Sequence, residues 1–350
     1  MADHTISLKL REIIRETDEA KTFIFETYDG SKLHYKAGQF LTFLIDMHGH
    51  EVRRSYSMSS APDVDAFPAI TVKRVPNGEI SRFWIDTVKR GDTFTVLAPS
   101  GRFVLETEDT GAHDIVLIGA GSGITPLFSI LKQTLTKDSE SQVTLIYASR
   151  NVRNTLFWNN IIEWQERFPE RLNVIHIHSQ PAEDWTGIQG RINNTRLEQL
   201  VNKSIRFKRE DARFFICGPF ELMRSAGITL HFMGFRSEQI RKENFVIPSP
   251  PPPPPVSHPH RIMLDFRGSI YDLLVPAHST VLDAALAQGI QLPYSCKGGR
   301  CSSCAAVCTS GKVHMSVNEV LTDRDLAEGW ILTCSSYVDS DDVAIEFRRE

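Results

Sequence analysis

Four cysteines near the C-terminus have a spacing that binds metal. Cys296, Cys301 and Cys304 follow the pattern C-x₄-C-x₂-C in a loop rich in Gly and Ser, and Cys334 stands alone further along the chain. This is the ligand spacing of a plant-type [2Fe-2S] cluster. Structural zinc sites also use four cysteines, but usually as two similar C-x₂₋₄-C pairs. The asymmetry of the set therefore favours an iron-sulfur cluster, which transfers one electron at a time.

The remaining candidate ligands fit no metal site. Cys308 lies in an apolar run four residues past Cys304, so we expect a small buried hydrophobe there. His176 and His178 alternate on a predicted strand. No third ligand stands at metal spacing, so a structural role is predicted for both histidines.

The length and the net charge of the chain limit the classes of protein to which it can belong. A chain of 350 residues is long enough for two or three domains, each with its own core. No stretch reaches the length of a membrane span, and residues 1–9 show no secretory leader. We therefore expect a cytoplasmic protein, in which cysteines are ligands rather than disulfides. The formal net charge of −4 argues against nucleic acid as a partner.

The net negative charge lies at the C-terminal end. Residues 259–350 hold 8 Lys and Arg against 12 Asp and Glu, whereas residues 1–258 hold 31 of each. An acidic face on the cysteine-bearing segment would steer docking to a basic partner, and an ordinary solvated surface is the alternative.

A proline run divides the chain. Every residue from 248 to 255 except Ser249 is proline. Such a run cannot form a helix interior or a central strand, and it predicts a semi-rigid polyproline II spacer. We assign 248–258 to a linker and 259–350 to a C-terminal module. The elements predicted in this module are a hairpin of strands 261–266 and 270–275, followed by a helix over 279–288 capped by Thr280.

A change of sequence period near residue 110 divides the N-terminal body. In residues 1–109, short β-like runs with turn signals predict an antiparallel barrel or sandwich, with strands at 21–26, 39–45, 69–73 and 93–97. In residues 110–247, strands alternate with helices, which predicts an α/β doubly wound parallel sheet. Its predicted strands are 114–118, 143–147, 174–177 and 214–217, and its predicted helices are 127–135 and 156–168.

The first strand of that sheet runs into a glycine-rich turn. Gly119, Gly121, Gly123 and Thr125 stand between this strand and the following helix. Glycines at such a turn let the backbone approach a pyrophosphate, and the start of the helix supplies N–H donors. The third glycine comes one position early for the G-x-G-x-x-G fingerprint, so an ordinary tight turn is the alternative.

The end of the second strand carries cations where a dinucleotide would place its adenosine ribose. Ser149 and Arg150 stand there with Arg153 nearby, and no acid is present to accept a 2′-hydroxyl. Arginine at this place favours a 2′-phosphate, which predicts NADPH, with NADH possible. An exposed loop arginine is the alternative interpretation.

A hydride donor and a one-electron cluster require a flavin between them. The segment Arg53-Arg54-Ser55-Tyr56-Ser57 offers a cation for a pyrophosphate, an aromatic ring for an isoalloxazine and a hydroxyl for its reactive edge. A strand with a basic face is the alternative.

These motifs resemble the ferredoxin-NADP⁺ reductase superfamily with a C-terminal plant-type ferredoxin domain of β-grasp fold. The domain order and linker are similar to those of the reductase subunits of phenylacetyl-CoA epoxygenases. The R-x-Y-S flavin motif matches residues 54–57. The resemblance implies FAD, with Arg54 on its pyrophosphate, Tyr56 on its ring and Ser57 near N5.

The resemblance also implies further cofactor contacts. The G-x-x-S flavin-phosphate element matches residues 78–81, and the C-G-P element near the nicotinamide matches residues 217–219. It implies no acid-base residue, and a hydride path near Ser57, Thr125 and Cys217. The implied cofactor-binding residues are Arg54, Ser55, Tyr56, Ser57, Lys73, Gly78 and Ser81 for the flavin, and Gly119, Gly121, Gly123, Thr125, Arg150, Cys217, Gly218 and Pro219 for the nucleotide.

One residue departs from the superfamily pattern. Its cluster loop usually has glycine directly after the second cysteine, whereas this chain has Ser302. A serine can adopt that loop only where its φ is tolerable.

The sequence as a whole predicts an NADPH-dependent reductase. It would pass electrons through FAD and a [2Fe-2S] cluster, held by Cys296, Cys301, Cys304 and Cys334, to an oxygenase such as phenylacetyl-CoA epoxygenase. The alternatives are an NADH-dependent reductase of an aromatic or steroid-ring hydroxylase, and a flavin-binding sensor with structural zinc.

Overall fold

The computed structural model describes residues 5–105, 112–245 and 258–348. The chain divides into two compact units, one ending at Lys242 and the other beginning at Glu243. The predicted proline linker falls almost entirely outside the described residues. No helix in the described ranges is long and apolar enough to cross a membrane.

The N-terminal domain is an antiparallel barrel, as predicted. Its strands are β1 (Thr5–Thr17), β2 (Ala20–Thr27), β3 (Phe40–Met47), β4 (His50–Ser57), β5 (Ala69–Lys73) and β6 (Thr93–Leu97). They are ordered β4-β3-β6-β1-β2-β5, and a backbone bridge between Met58 and Ile70 joins the two ends of the sheet. Between β5 and β6, helix α1 (Glu79–Arg82) continues into a π-helical turn (Phe83–Thr87).

Aromatic rings fill the barrel. Trp84 of the π-helical turn is fully buried, with its ring edge-on to Phe23 and Phe43 at 4.9 Å and stacked on Phe94 at 4.8 Å. Each such pair adds about 0.5–1.5 kcal/mol beyond area burial. The Tyr56 ring lies 5.7 Å from Trp84, so this core also positions β4.

The second domain is a doubly wound parallel sheet, as predicted. Its strands are β7 (Asp114–Ala120), β8 (Gln142–Ser149), β9 (Leu172–His178), β10 (Ile188–Gln189), β11 (Arg213–Cys217) and β12 (Ile240–Glu243). Its helices are α2 (Ile124–Lys137), α3 (Trp158–Arg167), α4 (Asn194–Ser204) and α5 (Phe220–Phe232). The strand order is β10-β9-β8-β7-β11-β12, and β7 pairs in parallel with both β8 and β11.

Successive residues of β7 face opposite layers of helices. Ile115 and Leu117 belong to a core with residues of α2 and α3, whereas Val116 and Ile118 belong to a core with residues of α4 and α5. A strand that is buried on both faces must be apolar along its length, which explains the uninterrupted run of β7.

The C-terminal domain has the predicted β-grasp fold. Its elements are β13 (His260–Phe266), β14 (Ser269–Val275), α6 (Val281–Ala287), β15 (Ala305–Ser310), β16 (Val313–Met315), α7 (Asp323–Ala327), β17 (Trp330–Leu332), β18 (Ser336–Val338) and β19 (Ala344–Glu346). The main sheet is ordered β14-β13-β19-β15-β17, with β13 and β19 parallel, and β16 pairs with β18 apart from it. Residues 288–304, which carry three of the four predicted ligands, connect α6 to β15 without regular structure.

Local signals locate several elements closely. The predicted hairpin is β13–β14, joined at Arg267 and Gly268, which both have positive φ. The Thr280 side chain accepts a hydrogen bond from the Asp283 N–H, as expected of an N-cap. The sequence does not predict the long strand β1, because Leu8 and Leu10 alone are buried along it and its apolar period is weak.

Candidate cofactor sites

Strand β4 carries the predicted flavin motif in register with β3. Arg54 is opposite Phe43, and Tyr56 is opposite Leu41. The Arg54 guanidinium is exposed and donates to the Arg53 carbonyl at 2.7 Å, and no carboxylate in the described ranges pairs with it. Its cation is therefore available to a phosphate group.

The hydroxyl groups of this motif differ in their environment. The Ser55 hydroxyl is 2.8 Å from that of Thr42 on β3. Ser57 is buried, and its hydroxyl has no hydrogen-bond partner in the described part of the chain. Because buried polar atoms are rarely left unpaired, the Ser57 hydroxyl fits a ligand such as a flavin edge.

The second flavin element is held closely by its own serine. The Ser81 hydroxyl donates to the Gly78 carbonyl and accepts from the Val75 N–H, both at 3.0 Å. A Cβ on Gly78 would lie 2.7 Å from the Ser81 hydroxyl oxygen, so a larger residue would disturb this turn. Lys73 ends β5, as predicted, with its ammonium 3.6 Å from Glu19.

The glycine turn is packed against the end of β11. A Cβ on Gly123 would lie 2.1 Å from the Cys217 carbonyl oxygen and 2.7 Å from the Gly218 nitrogen. Cys217 is fully buried and pairs with Gly119 in the sheet. The predicted nucleotide residues of both segments are therefore brought together, with Pro219 capping α5 beside them.

Hydrogen bonds fix the shape of this turn. The buried Thr125 hydroxyl donates to the Ser122 carbonyl, and the Tyr147 hydroxyl donates to the Gly121 carbonyl, each at 3.0 Å. Burial raises the pKa of Tyr147 above its usual value, so this hydroxyl stays a donor at neutral pH. The turn also contacts β5 of the barrel, which is bridged to the end of the flavin strand.

Contacts between the barrel and the second domain hold the two sites in one unit. The Ser129 hydroxyl of α2 donates to the Ser60 carbonyl at 2.5 Å, and the buried Lys132 ammonium pairs with Asp65. Both residues of α2 lie roughly two turns after the glycine turn, so α2 links it to the barrel.

Arg150 lies at the end of β8, but it faces a carboxylate. Its guanidinium is 4.0 Å from Glu19, in the turn between β1 and β2, and the two side chains are 60% and 40% exposed. The same carboxylate lies near Lys73. Sequence reasoning misses Glu19, because a charged residue in a hairpin turn looks like ordinary surface.

The predicted cluster loop directs backbone N–H groups at cysteine sulfurs. Gly298 donates to Cys296, and Gly299 donates to Cys334, both at 3.3 Å. The Cys296 N–H donates to Cys301 at 3.4 Å. Such donors stabilise thiolates, which are the form that binds metal.

Hydrogen bonds link the thiol of Cys296 to those of Cys301 and Cys334, and link the thiol of Cys304 to that of Cys334. Hydrogen bonds from Cys301 and Cys334 hold the pKa of Cys296 well below its usual value, and one from Cys334 lowers the pKa of Cys304. The same bonds raise the pKa of the donors Cys301 and Cys334. Metal binding would displace the remaining thiol protons, because cysteine binds metal as the thiolate. Four cysteine thiols are the donor set that a plant-type [2Fe-2S] cluster requires.

Two residues of the loop have backbone conformations that few residue types can adopt. Gly299 has φ +72°, and a Cβ there would lie 2.4 Å from the Val317 carbonyl oxygen. Ser302 has φ +54°, in the left-handed region that glycine favours, and it is buried. The serine therefore adopts the loop conformation at a cost of about 1–2 kcal/mol.

Cys308 and the histidine pair lie outside these sites. Cys308 on β15 is half-buried against the core, so the expectation of full burial is only partly met. His178 is fully buried with its ring 4.0 Å from that of Trp185, and His176 packs on Trp158 at 4.5 Å. Burial lowers the pKa of His176 to about 4, so it stays neutral near pH 7. These contacts support a structural role for both histidines.

Known families match all three domains. The Oxidoreductase FAD-binding domain family matches residues 7–105, and the Oxidoreductase NAD-binding domain family matches residues 117–227. The 2Fe-2S iron-sulfur cluster binding domain family matches residues 267–339.

Relatives match the chain over nearly its whole length. It is 35% identical over 364 residues to the ferredoxin reductase component of 3-ketosteroid-9-alpha-monooxygenase from Mycobacterium tuberculosis, covering 99% of this chain and 97% of that one. It is 32% identical over 347 residues to a subunit of 1,2-phenylacetyl-CoA epoxidase from Escherichia coli, covering 97% of each. Its fold resembles that of phthalate dioxygenase reductase, with a TM-score of 0.61, 22% identity and 98% of both chains covered.

A flavin barrel, a nucleotide sheet and a cysteine-loop domain in this order define an oxidoreductase with an iron-sulfur domain. The chain belongs to the ferredoxin-NADP⁺ reductase superfamily, in the group with a C-terminal [2Fe-2S] domain that includes these relatives from oxygenase systems.

Proposed function

We propose that this chain is an NADPH-dependent reductase that delivers single electrons to an oxygenase. The observation that carries the proposal is the presence of FAD, NAD and [2Fe-2S] domains in one chain that matches oxygenase reductase components almost end to end. When bound, the flavin accepts a hydride and releases electrons singly, and the cluster carries one electron at a time.

The barrel residues bind and orient the flavin in this proposal. The exposed Arg54 cation suits the pyrophosphate, and the unpartnered Ser57 hydroxyl suits the reactive edge of the ring. Burial raises the pKa of Tyr56 above its usual value, so its side chain stays neutral beside the ring.

The second domain positions the nucleotide. Close packing of Gly123 on Cys217 sets the turn that the pyrophosphate approaches, and Thr125 is fixed by its bond to Ser122. Hydride transfer needs position rather than a proton donor, and we assign no acid or base role to Cys217, which is fully buried.

The cysteine loop completes the proposal. Cys296, Cys301, Cys304 and Cys334 would bind the cluster, with the N–H groups of Gly298 and Gly299 directed at two of the sulfurs. We place the domain boundaries at 1–109, 110–247, 248–258 and 259–350, a division that the family matches at 7–105, 117–227 and 267–339 support.

Two oxygenases are candidates for the partner. A phenylacetyl-CoA epoxygenase is the first candidate, supported by the 32% identity to the Escherichia coli epoxidase component. A steroid-ring hydroxylase, with NADH as donor, is the second candidate because of the 35% identity to the 3-ketosteroid-9-alpha-monooxygenase component. Turnover assays that combine the chain with each oxygenase, under each nucleotide, separate the two.

Removal of one ligand tests the relay. Cys301→Ser should abolish iron binding but leave FAD bound, reducible by NADPH and able to reduce a small quinone. Electron delivery to the oxygenase should stop, because a large partner takes its electrons from the cluster domain. Cys308→Ser is the matched control and should keep both activities. An iron-free Cys301→Ser protein that still drives the oxygenase at full rate would exclude the cluster from the path.

A further inference from the structure

The cluster loop contains a buried charge pair that the proposed relay does not use. Arg300 directly precedes Cys301, and its side chain is only 7% exposed. Its Nε lies 3.0 Å from Oε1 of Glu319, whose side chain is 27% exposed. Its Nη1 donates to the Gly298 carbonyl at 3.1 Å. The guanidinium is therefore turned into the loop rather than toward solvent.

Glu319 is tied to the same loop by its backbone. The Glu319 N–H donates to the Gly299 carbonyl at 3.1 Å, and the Gly299 N–H in turn donates to the Cys334 sulfur at 3.3 Å. The second carboxylate oxygen accepts from the side-chain amide of Asn244 at 2.5 Å. Contacts on both its backbone and its carboxylate therefore hold Glu319 against the cysteine loop.

The other cation of the loop is in a different environment. Lys297 pairs with Asp283 at 3.4 Å, and both side chains are half-exposed. Solvent and salt screen such a pair strongly. The fields of Arg300 and Glu319 are screened less, because both lie mostly out of water. Solvent therefore weakens the field of Lys297 more than the fields of Arg300 and Glu319.

We propose that the Arg300–Glu319 pair sets the reduction potential of the [2Fe-2S] cluster. The proposal rests on the proposed cysteine ligand set. Reduction adds one electron, supplied by the bound flavin, and no bond forms or breaks in this step. The reduced cluster carries one more negative charge, so the guanidinium stabilises it and the carboxylate destabilises it. The two residues oppose each other, and the potential reflects their balance.

Potentiometric titration of the holoenzyme, followed by visible absorption and electron paramagnetic resonance, tests the balance. Glu319→Gln should raise the potential, changing the ratio of reduced to oxidised cluster at a fixed solution potential by about tenfold, or about 59 mV for one electron. Arg300→Gln should lower the potential by a similar amount. The variant carrying both substitutions should return close to the parent, because both charges are then absent.

Two further variants separate charge from structure. Asp272→Asn removes a carboxylate of the same domain from an exposed pair with Arg261, 2.9 Å apart, and should leave the potential unchanged. Arg300→Lys keeps the charge but loses the planar fork, and should keep the potential near the parent value.

Iron content decides between the possible failures. Unchanged potentials in Glu319→Gln and Arg300→Gln, with iron content intact, would overturn the proposal. Loss of iron in these variants, with the remaining clusters at the parent potential, would also overturn it and assign the pair a purely structural role. A parent protein without iron would instead contradict the proposed ligand set.

Discussion

The choice between NADPH and NADH depends on how Arg150 interacts with the adenosine end of the nucleotide. Arg150→Ala removes the cation at the end of β8. A charge-assisted hydrogen bond to phosphate contributes about 1.5–3 kcal/mol, and we take the low end because this side chain is largely exposed. KM for NADPH should therefore rise about tenfold, since 1.4 kcal/mol corresponds to about tenfold in affinity. KM for NADH should change little.

A substitution of Glu19 is a second test of the same nucleotide preference. Two unit charges 4 Å apart interact by about 1 kcal/mol in water and about 4 kcal/mol near a protein surface, and exposure of both side chains favours the lower value. A 2′-phosphate would have to compete with this carboxylate for Arg150. Glu19→Gln should therefore raise the NADPH-to-NADH ratio of kcat/KM about fivefold, whereas Glu12→Gln on the exposed face of β1 should not.

The rate at which each nucleotide bleaches the flavin, measured by stopped flow, tests both substitutions. The effect of Glu19→Gln should disappear in a protein that also carries Arg150→Ala, because the carboxylate acts through its interaction with the arginine and its phosphate. Equal effects of Arg150→Ala on the two nucleotides would refute the reasoning and return Arg150 to an ordinary exposed loop residue.

Three further predictions concern the C-terminal domain. Ser302→Gly should raise the free energy of unfolding of the holo domain by about 1 kcal/mol in urea titrations, since it relieves a left-handed serine, and a lower stability would contradict that account. Gly299→Ala should greatly reduce iron content in folded protein, because its Cβ would overlap the Val317 carbonyl; normal iron content would show that the loop can move aside. Cys308→Ser should keep iron content at the parent level, and loss of iron from folded protein would mean that the ligand set is wrong.

The sequence predicts the fold well where local patterns carry it. The apolar run of β7, the hairpin β13–β14 and the Thr280 cap each follow from neighbours in the chain, and the structure confirms them. The sequence does not predict strand β1, because the strand is defined by its pairing with β2 and β6 rather than by a regular alternation of apolar residues. The domain boundaries and the cofactor residues stay predictions.

Tertiary contacts explain what the sequence could not predict. Arg300 and Glu319 look like surface charges until the chain brings them together over Gly299. Glu19 and Arg150 belong to different domains and come together only in the folded protein, where contacts such as those of α2 join the two domains. Cys308 remains half-buried at a place where the register of β15 against β19 shifts directly after it.

The parallel pairing of β13 with β19 affects when, relative to translation, the C-terminal domain can fold and receive its cluster. Met263 is paired with Ala344, so the first strand of the cysteine-bearing domain cannot complete its pairing until β19, the last strand described, has been synthesised. On the ribosome, Cys296, Cys301 and Cys304 emerge well before that partner. We expect iron and sulfide to be inserted after translation rather than during it, and the three thiols to need a reducing environment in the interval.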